Sequence, residues 1–128
     1  RNLLMPNEIP NQNLLKEVCS VFFDTVKPSL LHGDLWSGNY IISKSGKPYL
    51  IDPAIYYGHH EVDIAMSQLF GGFGTSFYSS YHDYVPIDDH TTDRVKLYQL
   101  YYLLVHLNLF GSSYYGSVKS ITSRYFKL

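Results

Sequence analysis

The chain has 128 residues, with 10 Lys and Arg against 11 Asp and Glu for a formal net charge of -1, and it is 45% hydrophobic, including 13 Tyr, 7 Phe and 1 Trp. That much apolar side chain supports a folded core, and the lack of a basic excess argues against nucleic acid or an acidic membrane surface as the main partner. A lone cysteine, Cys19, excludes an internal disulfide framework and a zinc ribbon, so a reducing, cytoplasmic setting is expected.

The sequence opens on Arg1, and its first ten residues lack the basic start and unbroken apolar run of a signal peptide, as in a piece of a longer sequence. Over residues 11–26, Leu14, Leu15, Val18, Val21 and Phe22 recur at helical spacing, which predicts an amphipathic helix closed by Pro28. The pattern then changes to three short strands, residues 29–32, 40–43 and 48–52, with residues 44–47 as a hairpin turn around Gly46. Helices follow over residues 61–70, 77–84 and 92–110. The last carries Leu97, Leu100, Leu104 and Leu107 on one face and stops at Gly111, and residues 114–126 form a shorter helix. Residues 97–118 contain no Asp, Glu, Lys or Arg, but Gln99, His106, Asn108 and Gly111 interrupt them, which fits a buried helix and turn and not a membrane span. The expected class is α+β and mostly helical, one domain over residues 1–128, with the loops between strands presented at one edge.

The chemistry concentrates in His32-Gly33-Asp34-Leu35-Trp36-Ser37-Gly38-Asn39 and in Leu50-Ile51-Asp52-Pro53. Phosphoryl transfer from ATP needs a carboxylate that orients the attacking hydroxyl and accepts its proton, and an Asp and an Asn that supply oxygen ligands to Mg2+. Kinase-type loops place the first Asp and the Asn in one loop and the second Asp at the end of a hairpin. Asp34, Asn39 and Asp52 stand in that order, and the hairpin should return Asp52 beside Asn39. Taken alone, Asp34 reads as a loop cap, Asn39 as a turn residue and Asp52 as a strand terminator; the joint pattern carries the functional reading.

Neighbouring residues have plainer roles. His32 is expected to brace the loop, and Asp63, one turn into the next helix, to hold the loop backbone. Glu61 reads as a charge at a helix N-terminus. His59 and His60 beside Glu61 imitate a metal cluster, but adjacent side chains should diverge and no third imidazole lies at ligand spacing. Gly71-Gly72-Phe73-Gly74 follows a helix and not a strand, so a helix end with a flexible turn is expected in place of a phosphate loop. Trp36 is either a ring on which substrate stacks or a core plug, and both readings stay open. Gly33 stands where many regulated protein kinases carry an Arg that pairs with a phosphorylated activation loop, so constitutive activity is expected. Only eight residues separate Asp52 from Glu61, too few for a long peptide platform, which favours a small or protruding substrate. Pro53 should restrain the backbone just after Asp52.

The catalytic-type loop, Ile51-Asp52-Pro53-Ala54, residues 57–66, Leu69-Phe70-Gly71-Gly72-Phe73, Leu97-Tyr98-Gln99-Leu100-Tyr101 and His106-Leu107-Asn108-Leu109-Phe110-Gly111 together resemble the fructosamine (ketosamine) kinase family. That family lies in the aminoglycoside and choline phosphotransferase branch of the kinase-like fold, and the resemblance runs from about Leu14 onward. It implies the C-terminal lobe of that fold, with Asp34 as catalytic base, Asn39 and Asp52 as magnesium ligands, ATP and Mg2+ as cofactors, and a small or protein-bound ketosamine phosphorylated on its sugar 3-hydroxyl. A Gly-rich cover and a strand Lys are missing, Lys16 being in a helical pattern, so the nucleotide-binding lobe is expected to be absent and the chain alone nearly inactive. Apolar surface left open by that absence would favour a homodimer. Two other readings stand beside this one. One is a kinase of the same branch acting on an aminoglycoside- or choline-like alcohol, with Asp83, Asp88, Asp89 and Asp93 as either a face for a cation or a solvated loop. The other is a non-catalytic binding module.

Overall fold

Asn11 closes an extended stretch and caps helix α1 (Gln12–Phe22), its side-chain oxygen accepting the backbone N–H groups of Asn13 and Leu14 at 3.0 Å each. The computed structural model describes residues 3–128. Helix α1 stops four residues short of the sequence expectation: the Phe23 N–H bonds Cys19, and a turn through Asp24 and Thr25 leads to Lys27, whose position before Pro28 disfavours helix. Of the expected apolar stripe only Val18 is buried, while Leu15 and Val21 are exposed. Pro28 does not end the helix; it begins a strand.

Four strands form among the described residues, one more than expected. β1 (Pro28–Leu31) pairs antiparallel with β4 (Tyr56–His59), with Leu30 opposite Tyr57 and Leu31 opposite Tyr56. β2 (Tyr40–Ile42) pairs with β3 (Pro48–Leu50), with Tyr40 opposite Leu50. The β2–β3 turn closes as expected: the Ser43 N–H bonds the Lys47 carbonyl at 2.9 Å, and Gly46 adopts φ +82. The missed strand, β4, takes up four of the eight residues between Asp52 and Glu61. Its signal was the β-forming run Ile55-Tyr56-Tyr57 after Pro53.

The helices are α2 (Glu61–Phe70), α3 (Thr75–Tyr84), α4 (Thr91–Phe110) and α5 (Tyr115–Phe126), with a 3-10 turn at Ser112–Tyr114 before the last and another at Pro6–Glu8. The chain divides into two compact units, one of Lys27–Val95 and one of the described residues up to Val26 together with Lys96–Leu128. The first buries Leu31, Leu35, Ile64, Ala65, Met66 and Val95. In the second, Leu100, Leu103 and Leu107 of α4 are buried, as are Val118, Ile121 and Phe126 of α5. The expected α4 face included Leu97 and Leu104, which are only half-buried. Leucines occupy two overlapping i, i+3, i+7 lines on this helix, and packing selects the line through Leu103. In the same unit Glu8 accepts hydrogen bonds from the Tyr115 hydroxyl and, at 2.9 Å, from Lys119 Nζ, tying the Pro6–Glu8 turn to α5. No helix among the described residues is long and apolar enough to cross a membrane.

Candidate active site

The site lies within the Lys27–Val95 unit, where His32 follows the last residue of β1 and the chain turns sharply through Gly33. At φ +82, a Cβ on Gly33 would sit 1.9 Å from the carbonyl oxygen of Ala54, so no larger residue fits without moving backbone. The same strand end is stitched to the segment after Asp52, the Ala54 N–H donating to the His32 carbonyl at 2.8 Å. Gly33 therefore has a steric reason to lack a side chain.

Asp34 and Asn39 meet across the loop. Asn39 Nδ2 donates to the Asp34 carboxylate at 2.8 Å and to the Asp34 carbonyl at 2.9 Å. A 3-10 turn, Ser37–Asn39, brings Asn39 round and buries it, closed by its N–H to the Trp36 carbonyl at 3.0 Å. The β2–β3 hairpin then returns the chain, and the Ile51 N–H bonds the Asn39 carbonyl at 3.0 Å, which puts Asp52 next in sequence after a residue hydrogen-bonded to Asn39. Asp52 is exposed, makes no hydrogen bond or ion pair with the described residues, and adopts φ +50. A left-handed conformation for Asp immediately before a proline costs about 1–3 kcal/mol, which the paired hairpin on one side and the Ala54–His32 bond on the other must hold.

His32 accepts the Asp34 N–H on Nδ1 at 3.3 Å and lies 2.9 Å through Nε2 from the Ile51 carbonyl. An Nε2–H tautomer satisfies both contacts, so the ring braces the loop against the residue before Asp52. Asp63 on α2 accepts the N–H groups of His32 at 2.7 Å and Gly33 at 2.9 Å. Trp36 is 38% exposed, and its ring lies over Gly38, where a Cβ would come within 2.4 Å of it.

Several participants escaped sequence reasoning. The Gly71-Gly72 turn is packed against the loop: Gly71 accepts the Ser37 N–H at 3.3 Å, and a Cβ on Gly72, at φ +107, would lie 1.8 Å from Ser37 Cβ. Tyr40, Phe73 and Phe77 stack in sequence, with ring centroids 5.1 and 4.4 Å apart, beside a cavity of about 390 Å³ that Ile42 and Leu50 also line. The only hint in the sequence was a Gly-Gly pair followed by an aromatic residue.

His59 and His60 correct the expectation that neighbours diverge, because the strand-to-helix junction brings their ligand atoms and a Glu61 oxygen within 4.8 Å of one another. A cation there would meet Arg94, which already holds Glu61 through Nε and Nη2 at 2.7 Å each. Arg94 also binds both oxygens of Asp88, at 2.8 and 2.9 Å, and this contact holds the Asp88 carboxyl below its ordinary value. Asp88 thus belongs to the start of α4 and not to an acidic face for a substrate.

Burial keeps both His59 and His60 below the ordinary histidine value, with Glu61 opposing the shift in each. An imidazole whose pKa is depressed in the fold stabilises fully above its unfolded value, about 6.5, and loses that contribution as pH falls through the folded value. The Tm of the chain should therefore drop as pH is lowered from 7.5 to 5.5. His60→Gln, which keeps an acceptor for the Tyr81 hydroxyl now 2.8 Å from His60 Nδ1, should flatten part of that slope. An unchanged slope in the variant would assign it to other groups.

Short antiparallel sheets among helices, with an Asp/Asn loop at the end of one strand and an Asp after a hairpin, define a protein of the kinase-like fold, and a solved structure agrees. The crystal structure of a "putative fructosamine-3-kinase" from Thermobifida fusca superposes with a TM-score of 0.78 at 31% identity, covering 100% of this chain and 45% of that one. The fructosamine kinase family profile matches residues 7–127, and the chain belongs to that family. The "Probable ketoamine kinase" of Lactiplantibacillus plantarum is 55% identical over 101 residues, which are 79% of this chain and 36% of that protein. The mouse ketosamine-3-kinase is 49% identical over 96 residues, 75% of this chain and 31% of that protein. The chain thus spans about a third of the length of these curated relatives.

Proposed function

We propose that this chain is the catalytic-loop lobe of a kinase that transfers the γ-phosphoryl group of ATP to the sugar 3-hydroxyl of a ketosamine. The carrying observation is the Asp34–Asn39 pair, joined at 2.8 Å, with the unpartnered Asp52 following the strand that closes on Asn39. Asp34 is the base: its carboxylate is oriented by the Asn39 amide and its backbone by His32, ready to accept the proton of the attacking hydroxyl. Because Asn39 spends its amide N–H groups on Asp34, its Oδ1 is left for a metal, and with the Asp52 carboxylate it makes a hard-oxygen donor set that suits Mg2+. When bound, Mg2+ and ATP supply the transferable phosphoryl group with its charge neutralised. Asp63, by fixing the N–H groups of His32 and Gly33, holds the loop in place, and the exposed ring of Trp36 offers a surface for a sugar.

The reading includes an upstream lobe for the nucleotide, since no Gly-rich cover or strand Lys occurs in the 128 residues. Exposed apolar strand residues support a covering partner, among them Leu30 at 62% and Tyr57 at 75%, which face each other across β1 and β4. Two assays test the proposal. The chain alone, given MgATP and a fructosyl- or ribulosyl-lysine, should show little turnover, and a rate equal to that of a two-lobed kinase would refute the divided site. The chain together with its upstream coding region should phosphorylate the ketosamine and not an aminoglycoside or choline; the reverse preference would overturn the substrate assignment.

A further inference from the structure

Asp63 is a single carboxylate asked to hold two backbone groups of the loop, and the first turn of α2 that carries it is clamped from another side. Glu61 lies two residues earlier, about 200° round the helix, so the two carboxylates leave α2 in different directions. Asp63 reaches His32 and Gly33, while Glu61, its side chain 3% exposed, is gripped by both prongs of Arg94, itself 7% exposed. Arg94 is held in turn by Asp88, whose own side chain accepts the His90 N–H at 2.8 Å at the start of α4. His59 Nδ1 lies 3.4 Å from Glu61 on its other side.

We propose that the Asp88–Arg94–Glu61 network is a positioning device for the catalytic loop, acting through Asp63 to keep the His32 and Gly33 amides, and with them Asp34, in register. A buried ion pair of this kind contributes little to net stability over an apolar substitute, but removing one member leaves the other charge buried and unpaired. Without Arg94, Glu61 and Asp88 would confront each other with no guanidinium between them. The first turn of α2 would then turn or fray, and the two bonds to Asp63 would be the first lost. Glu61, Arg94 and Asp88 are positioning residues, since none touches the Asp34–Asn39 pair.

Their effect is read without catalysis, by amide hydrogen exchange of the 128-residue chain resolved by NMR. In Glu61→Gln and in Arg94→Lys, which keeps the cation but loses the two-pronged donor, the His32 and Gly33 amides should exchange on the order of tenfold faster relative to the amides of the β1–β4 ladder. Asp88→Asn should give a smaller change in the same direction. Exchange that rises uniformly across both groups, or not at all, in a folded variant would overturn the proposal. Should Glu61→Gln fail to fold, Arg94→Lys and the surface variant Asp88→Asn, at a side chain 59% exposed, carry the same comparison. The proposal rests on Asp34 as the base for its functional meaning, and the two fail separately. Loss of the base assignment would show in turnover of an Asp34 variant, and loss of the positioning role in exchange alone.

Discussion

Replacing Asp34 by Asn is expected to lower kcat for ketosamine phosphorylation by about 10²–10⁴-fold, with the KM for MgATP nearly unchanged. The side chain keeps its size, but an amide does not accept the substrate's proton. Its Oδ1 still accepts the Asn39 Nδ2 that now donates to Asp34 at 2.8 Å, so the loop contact is kept while the base is lost. The measurement is steady-state kinetics on the polypeptide that carries both this lobe and the nucleotide-binding region, with folding checked by circular dichroism. Wild-type turnover in the variant would remove Asp34 from the chemistry and favour a binding module that retains the loop without using it. A parallel rise in the KM for MgATP would move Asp34 towards the metal ligands.

The second large effect belongs to a residue with no side chain. Gly33→Ala should destabilise the chain by about 2–5 kcal/mol, because it combines a left-handed backbone that a Cβ disfavours with a collision against the main chain. The added carbon would stand 1.9 Å from the Ala54 oxygen, and that carbonyl belongs to the segment tied to the loop by the Ala54–His32 hydrogen bond. Against a typical total of about 5–15 kcal/mol, this is a substantial fraction, readable as a shift in the urea midpoint. Gly46→Ala makes the comparison: φ is also +82, yet nothing lies within 4 Å of its Cβ position, so its cost should be that of the backbone alone. Equal losses in the two variants would show that the contact with Ala54 gives way without strain.

Gly33 stands where many regulated protein kinases carry an Arg, and the backbone opposite it leaves no space for a side chain. Any side chain at this position would displace the Ala54 carbonyl in the segment after Asp52.

Much of the architecture was legible because it depends on local pattern. The 3.6-residue recurrence marked α2 with its observed bounds and the other long helices within a few residues, and the Lys44–Lys47 turn marked the β2–β3 hairpin. The spacing of Asp34, Asn39 and Asp52 was enough to propose one loop and one hairpin. What sequence could not supply were pairings between distant segments. β4 is a short run whose partner, β1, lies before the catalytic-type loop, so only the closed fold identifies it as a strand.

The same division holds within the site. From residue types alone, the chain determined where its acid, amide and metal-type oxygens would fall, because one loop and one hairpin are local objects. Only the tertiary structure decided what holds them: Asp63 across 30 residues to Gly33, Arg94 across 33 residues to Glu61, and Gly72 against Ser37. Those contacts were invisible in advance for a physical reason. A buried carboxylate or a bare glycine acquires its role from the group that burial places opposite it, and that partner is set by packing and not by spacing along the chain.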